Sequence, residues 1–114
     1  MKYQGSCHCG KVIFEVEGEL AQVTECNCSI CSRKGFLLWG VLPDRFRLLS
    51  PEAELATYSF GKERIKHRFC PHCGIHTFAE GMLSGSPLVV VNARCLEDID
   101  LSSLPVKHFD GRSL

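Results

Sequence analysis

The cysteines of this chain are the residues whose type and spacing point most directly to chemistry. Seven of the eight stand in three short groups: Cys7 and Cys9; Cys26, Cys28 and Cys31; Cys70 and Cys73. A C-x2-C turn directs two thiolates toward one metal ion, and the glycine that follows at position 74 supplies the backbone freedom such a turn needs. Zinc takes four ligands of this kind in tetrahedral structural sites. The spacing therefore predicts a zinc protein.

The two separated cysteine pairs are expected to share one ion. The N-terminal pair is a short chelate that lacks two partners, and the C-x2-C pair supplies them. The structural site is thus predicted to consist of Cys7, Cys9, Cys70 and Cys73. The middle group then holds a second ion with no obvious fourth protein ligand, which is the form of catalytic zinc sites. The predicted catalytic ligands are Cys26, Cys28 and Cys31.

Other uses of the cysteines stay open at this point. A rival grouping would place one ion among Cys7, Cys9, Cys26 and Cys28 and another among Cys31, Cys70, Cys73 and Cys95. It is disfavoured because it splits a local chelate and requires longer loop closures. An iron–sulfur cluster uses the same ligands, although the C-x2-C spacing favours zinc. A histidine beside the pairs could replace a thiolate, which four thiolates make unnecessary; the neighbours are His8, His72 and His76.

Length, charge and composition limit the class of protein. The chain has 114 residues, of which 45% are hydrophobic, so we expect one domain over residues 1–114. Thirteen basic residues balance thirteen acidic ones, which argues against nucleic-acid binding. No apolar run approaches the roughly 20 residues that span a bilayer. The N-terminal residues do not form a secretory signal, so we expect a cytoplasmic protein in which disulfides are disfavoured.

Most of the chain consists of short β-like runs. The strands that they predict must position the cysteines. Residues 11–17 alternate between apolar and charged side chains, as in a half-buried strand. Similar runs cover residues 36–41, 46–49, 55–60, 65–69, 76–80 and 88–93. The one predicted helical turn is residues 29–33, with Ser29 as its N-cap. The fold class is therefore predicted to be mainly β with antiparallel sheets.

The cysteine motifs and their flanking residues together resemble the glutathione-dependent formaldehyde-activating enzymes and their relatives. The matching segments are residues 5–12, 26–31, 69–74 and 90–92. The resemblance implies a β-tent fold clamped by structural zinc, with Cys7, Cys9, Cys70 and Cys73 as structural ligands and Cys26, Cys28 and Cys31 at the active-site zinc. It also implies carbon–sulfur lyase chemistry between two small molecules, a thiol such as glutathione and an aldehyde such as formaldehyde.

Residues just beyond the predicted catalytic ligands are candidates for substrate contact. A thiol bound to zinc is deprotonated, so the open position would present a thiolate to an aldehyde carbon. Arg33 and Lys34 could offset the charge of three cysteinates or pair with a substrate carboxylate, although a solvated turn is the simpler interpretation. Phe36 and Trp39 could line a pocket or pack in the core. His67 and His108 have no partner visible in the sequence.

Two alternative functions use the same residues differently. A methionine sulfoxide reductase-like enzyme would use the lone Cys95 as its reactive thiol, although such a cysteine is more often a small buried apolar side chain. A non-enzymatic, zinc-clamped module that binds a protein would leave the second site closed or empty. Metal content separates the hypotheses, because two zinc ions per chain fit the lyase and one fits the others.

Overall fold

The computed structural model describes residues 1–62, 64–83 and 85–113. The helix and strands of these residues are, in chain order, β1 (Lys2–Ser6), β2 (Ile13–Glu17), β3 (Val23–Cys26), α1 (Ser29–Lys34), β4 (Leu38–Val41), β5 (Phe46–Leu48), β6 (Ala56–Tyr58), β7 (Lys66–Phe69), β8 (His76–Leu83), β9 (Ser86–Asn92) and β10 (Val106–Phe109). The predicted mainly-β fold is therefore confirmed. No helix among these residues is long and apolar enough to cross a membrane.

The strands form two sheets. Strands β1, β2 and β5 make a small antiparallel sheet, and the other seven make a larger one in the order β10-β3-β4-β9-β8-β7-β6. Every pairing of named strands is antiparallel except that of β10 with β3, which is parallel and brings Phe109 opposite Cys26. The C-terminal segment (residues 106–113) thus runs beside β3 to the middle cysteine group.

The core lies where the inner faces of the two sheets meet. Phe14 of β2 and Phe46 of β5 stack with ring centroids 5.4 Å apart, and Phe46 packs against Phe78 of β8 at 4.5 Å. Phe14 is completely buried, so β2 has the half-buried alternation that the sequence predicts. Trp39 is also buried in this core and meets the ring of Tyr3 edge-on. The burial of Trp39 shows that it packs in the core, and the two surface clefts that it also borders contain no cysteine.

The structure adds three strands that the sequence did not predict. They are β1, β3 and β10. Strand β1 contains Gly5, which pairs with Phe14. A side chain at position 5 has no room, because the phenyl ring of Phe14 occupies that space. Strand β10 is exposed along its whole length, so it carries no alternation of buried and exposed residues.

The N-cap of helix α1 lies one residue earlier than the sequence predicts. Its N-cap is Cys28, whose Sγ accepts a hydrogen bond from the N–H of Cys31, so the prediction of Ser29 as N-cap is wrong. Ser29 is instead the first residue of the helix. A thiolate can take the capping role because it is an acceptor at the positive end of the helix. The helix ends at Gly35, which has the left-handed conformation (φ 64°) common at C-caps.

Candidate metal centres

The first cluster of thiols joins the ends of two strands that lie far apart in the sequence. Its members are Cys7, Cys9, Cys70 and Cys73. Cys7 and Cys9 follow β1, and Cys70 and Cys73 follow β7. Gly10 and Gly74 close the two turns in the left-handed region, at φ 83° and 81°. Neither position suits a larger L-residue without strain.

The sulfur geometry of this cluster fits tetrahedral zinc. The four Sγ atoms all lie within 4.8 Å of one another. Cys7 Sγ lies 3.7 Å from Cys9 Sγ, which lies 3.6 Å from Cys70 Sγ. A tetrahedron with Zn–S bonds of about 2.3 Å has edges of about 3.8 Å. The four thiols therefore could hold one zinc ion, and they leave no place in that tetrahedron for a further ligand.

Backbone N–H groups stabilise negative charge on these sulfurs. The Val12 N–H donates to Cys7 Sγ at 3.3 Å. Burial opposes ionisation of Cys73, but the N–H groups of Cys9 and Ile75 outweigh it and lower the pKa of that thiol to about 6. Cys7 and Cys70 are buried with Val12 in a small apolar cluster of their own. The cluster is thus both a candidate metal site and part of the packing between the two chain regions.

The second cluster lies around the first turn of α1. Cys26 ends β3, Cys28 caps the helix and Cys31 lies within it. Their sulfurs are also within 4.8 Å of one another. The Cys28 N–H points at Cys26 Sγ at 3.4 Å, and the Cys31 N–H points at Cys28 Sγ at 3.5 Å. The rival grouping of ligands is therefore wrong, because the local chelate stays together.

The pKa values of the second cluster favour a bound cation. Burial, followed by the neighbouring Cys28 and Cys26, raises the pKa of the Cys31 thiol to about 12. Burial also opposes ionisation of Cys28, but the N–H of Cys31 and the adjacent thiols lower its pKa. Three crowded thiols do not ionise together unaided, whereas thiols bound to zinc are deprotonated. The three cysteines fit a zinc ion with one ligand position left over.

Comparison with known proteins identifies the family of this chain. The sequence profile of the family described as glutathione-dependent formaldehyde-activating enzyme matches residues 2–109. This chain belongs to that family. A crystal structure of a Rhodobacter sphaeroides protein, determined as a structural-genomics target, is similar at 32% sequence identity and a TM-score of 0.79. The similarity covers 91% of this chain and 99% of that one.

In this member of the family, the C-terminal segment packs directly on the second cluster. Asn27, which lies between two of the thiols, donates from Nδ2 to Asp110 Oδ1 at 2.9 Å. Its Oδ1 accepts from the Arg112 N–H, also at 2.9 Å. A Cβ at Gly111 would lie 2.6 Å from Cys26 Sγ. The sequence does not predict this contact, since no local pattern links residues 27 and 110.

An open cleft adjoins the second cluster on the side of the C-terminal segment. Its volume is about 470 Å³, and its lining includes Cys28, Ser29, Arg33, Phe60, Gly111 and Arg112. Clefts that bind small ligands have volumes of roughly 300–1,000 Å³. Cys28 is thus the thiol through which the cluster faces solvent in this cleft. The predicted candidate Arg33 lines it, whereas Lys34 does not.

Lys34 packs against the large sheet and also lines an open cleft. It is half-buried, with Nζ 4.1 Å from the centroid of the Phe36 ring and 3.2 Å from His67 Nδ1. Burial lowers the pKa of Lys34, and the Cys31 and Cys28 thiols oppose that shift. The interpretation of Lys34 as part of a solvated turn is therefore wrong. Phe36 is buried but also lines a neighbouring cleft of about 500 Å³.

The histidines lie outside both sets of sulfur ligands. His67 is buried, and its Nε2 has no hydrogen-bond partner among the described residues. Burial, then the charges of Lys34 and His76, lower the pKa of His67 to about 4, so the neutral ring accepts at Nδ1 from the ammonium. His72 pairs with Glu54. Neither cluster of thiols needs a histidine to complete it.

Cys95 stands apart from both clusters. It is half-buried, and its Sγ lies 3.8 Å from the carbonyl oxygen of His76. Burial, with a smaller effect from Cys7 and Cys73, raises the pKa of the Cys95 thiol to about 12. A reactive cysteine needs a lowered pKa and an electropositive setting. Basic residues line the same cleft as Cys95, namely Arg33, Lys34 and Arg94. The raised pKa of its thiol nevertheless disfavours the reductase-like alternative.

Proposed function

We propose that this protein is a zinc-dependent carbon–sulfur lyase that adds a thiol such as glutathione to a small aldehyde, or reverses that addition. The observation that supports it is the second cluster, three convergent thiols that border an open cleft through Cys28. A purely structural zinc site is closed by four protein ligands, as in the first cluster. Membership of a family named for glutathione-dependent formaldehyde activation agrees with the proposal.

The reaction balances without a redox partner. The sulfur of the thiolate attacks the carbonyl carbon and a C–S bond forms. The electron pair of the C=O π bond moves to oxygen, which takes up a proton and becomes the hydroxyl of a hemithioacetal. The reverse reaction returns that proton and breaks the same C–S bond. A zinc ion on the three cysteines would keep the incoming thiol deprotonated near neutral pH.

The chain itself contributes orientation and charge. The N–H groups of Cys28 and Cys31 fix the positions of the thiols around the helix start. Lys34 lies close enough to Cys31 and Cys28 for their charges to affect its pKa. Its ammonium therefore offsets part of the negative charge that three cysteinates bring to the site. The open cleft leaves the fourth side accessible to a thiol and an aldehyde.

Metal content and exchange kinetics test the proposal together. The native protein is expected to hold about two zinc ions per chain and to accelerate the exchange of glutathione with S-(hydroxymethyl)glutathione, measured by magnetisation-exchange NMR. Cys28→Ser should hold one zinc ion and lose the acceleration. Cys95→Ser is the matched control and should retain both properties. Equal exchange rates with and without native protein, for glutathione and for other thiols, would rule out the lyase.

A further inference from the structure

Positively charged side chains line the cleft beside Cys28. Its charged lining side chains are Arg33 from α1 and Arg112 from the C-terminal segment, and no acidic side chain lines it. Among the described residues, neither arginine forms an ion pair with a carboxylate. Three cysteinates on a zinc ion carry one net negative charge, so two arginines leave the cleft with a positive balance that attracts an anion.

Most of the donors of these two arginines remain available to a ligand. Arg33 uses one nitrogen, Nη1, to donate to the carbonyl oxygen of Ser29 at 2.7 Å. The backbone N–H of Arg112 donates to Asn27, and its guanidinium has no hydrogen-bond partner among the described residues. Asp110, the nearest side-chain carboxylate along the chain, accepts from Asn27 and from the Ser113 hydroxyl. A guanidinium presents a planar set of donors that matches a carboxylate.

The position of the Arg33 guanidinium suits a peptide-like thiol. Arg33 Nη1 folds back along the helix to the carbonyl oxygen of Ser29, the residue that follows Cys28. In a cysteinyl peptide, a carboxylate two extended residues from the thiol lies about 7 Å away. A ligand with its sulfur at the cluster therefore extends its carboxylate into the cleft that both arginines line.

We propose that Arg33 and Arg112 form a carboxylate subsite that selects anionic, peptide-like thiols over neutral ones. This inference rests on the proposed function, because it places the sulfur of the substrate at the second cluster. The subsite is built from two parts of the chain, and Arg112 is brought to it by the hydrogen bonds between Asn27 and the C-terminal segment. Arg112 is thus a specificity-determining residue that acts on binding rather than on the reacting atoms.

Binding of S-methylglutathione tests the subsite without catalysis, because this thioether cannot add to an aldehyde. Its dissociation constant is measured by NMR titration of the zinc-loaded native protein, Arg33→Gln, Arg112→Gln and the double variant. Lys107→Gln is the matched control, since it removes a positive charge from the same segment outside the cleft. The dimethyl ester of S-methylglutathione, which lacks both carboxylates, is the control ligand.

Each arginine variant is expected to weaken S-methylglutathione binding about 5-fold, and the double variant about 25-fold, as for partly exposed charge-assisted pairs. The ester should bind native protein and variants alike, and Lys107→Gln should behave as native. Exchange assays should show the same selectivity, with a higher KM for glutathione and an unchanged KM for 2-mercaptoethanol.

The failures of the two proposals are distinguishable. Unchanged binding in both arginine variants, or equal weakening by Lys107→Gln, overturns the subsite even if the protein accelerates thiol exchange. Selective weakening by the arginine variants supports the subsite even if no thiol is turned over, and in that case only the lyase proposal fails.

Discussion

Replacing Gly111 with alanine would test how closely the C-terminal segment packs on the second cluster. The added Cβ would meet Cys26 Sγ at 2.6 Å and Cys28 Cβ at 3.1 Å, whereas ordinary contacts begin near 3.4 Å. Neither neighbour is the loose end of a long side chain, because Cys26 is buried at the end of β3 and Cys28 caps α1. Either the segment or a thiol must therefore move.

The size of the effect follows from the packing. Overpacking by one methyl group against a fixed neighbour costs typically about 1–3 kcal/mol, which is a roughly 5- to 150-fold change in an equilibrium constant. In Gly111→Ala we expect a loss of that size, divided between zinc affinity at the second cluster and docking of the segment. Zinc affinity of the first cluster should not change, because none of its thiols contacts Gly111.

Competition with a chromophoric zinc chelator measures both sites, since the two ions should be removed in separate steps. Gly40→Ala is the matched control, because its Cβ would meet only the side chain of Leu88 at an ordinary 3.6 Å. That variant should release zinc like the native protein. If Gly111→Ala also does so, and NMR shows the hydrogen bonds of Asn27 intact, the packing of the segment on Cys26 is refuted.

Two further predictions concern the first cluster and the buried imidazole. Cys7→Ser should lose the ion of the first cluster and unfold at clearly lower urea concentration, because Cys7 is buried and accepts the Val12 N–H; retention of two zinc ions per chain would contradict this. The pKa of His67 is lowered from 6.5 to about 4, so between these pH values the unfolded chain binds more protons and stability falls as pH drops. Urea unfolding at pH 7 and 5 should therefore show a larger loss of stability for the native protein than for His67→Phe, and equal losses would contradict the buried, neutral imidazole.

Much of the mainly-β fold was predictable because its signals are local. The alternation of β2 follows directly from Phe14 and Val16, both completely buried. Strand β1 lacked such a signal, since Gly5 has no side chain and its space is filled by the ring of Phe14. The N-cap of α1 was misassigned because serine is the commoner capping residue, and the thiol at position 28 took that role by its place in the turn.

The sequence by itself determined which cysteines belong together. Chelating pairs and trios close short loops, so their spacing specifies the ligand sets before any long-range contact is known. Only the tertiary structure decided what surrounds the second cluster. The exposed strand β10 joins β3 across more than 80 residues of chain, and this pairing places Gly111 and Arg112 beside the thiols. Such contacts depend on strand pairing and on shape at close range, for which the residues concerned carry no pattern of their own.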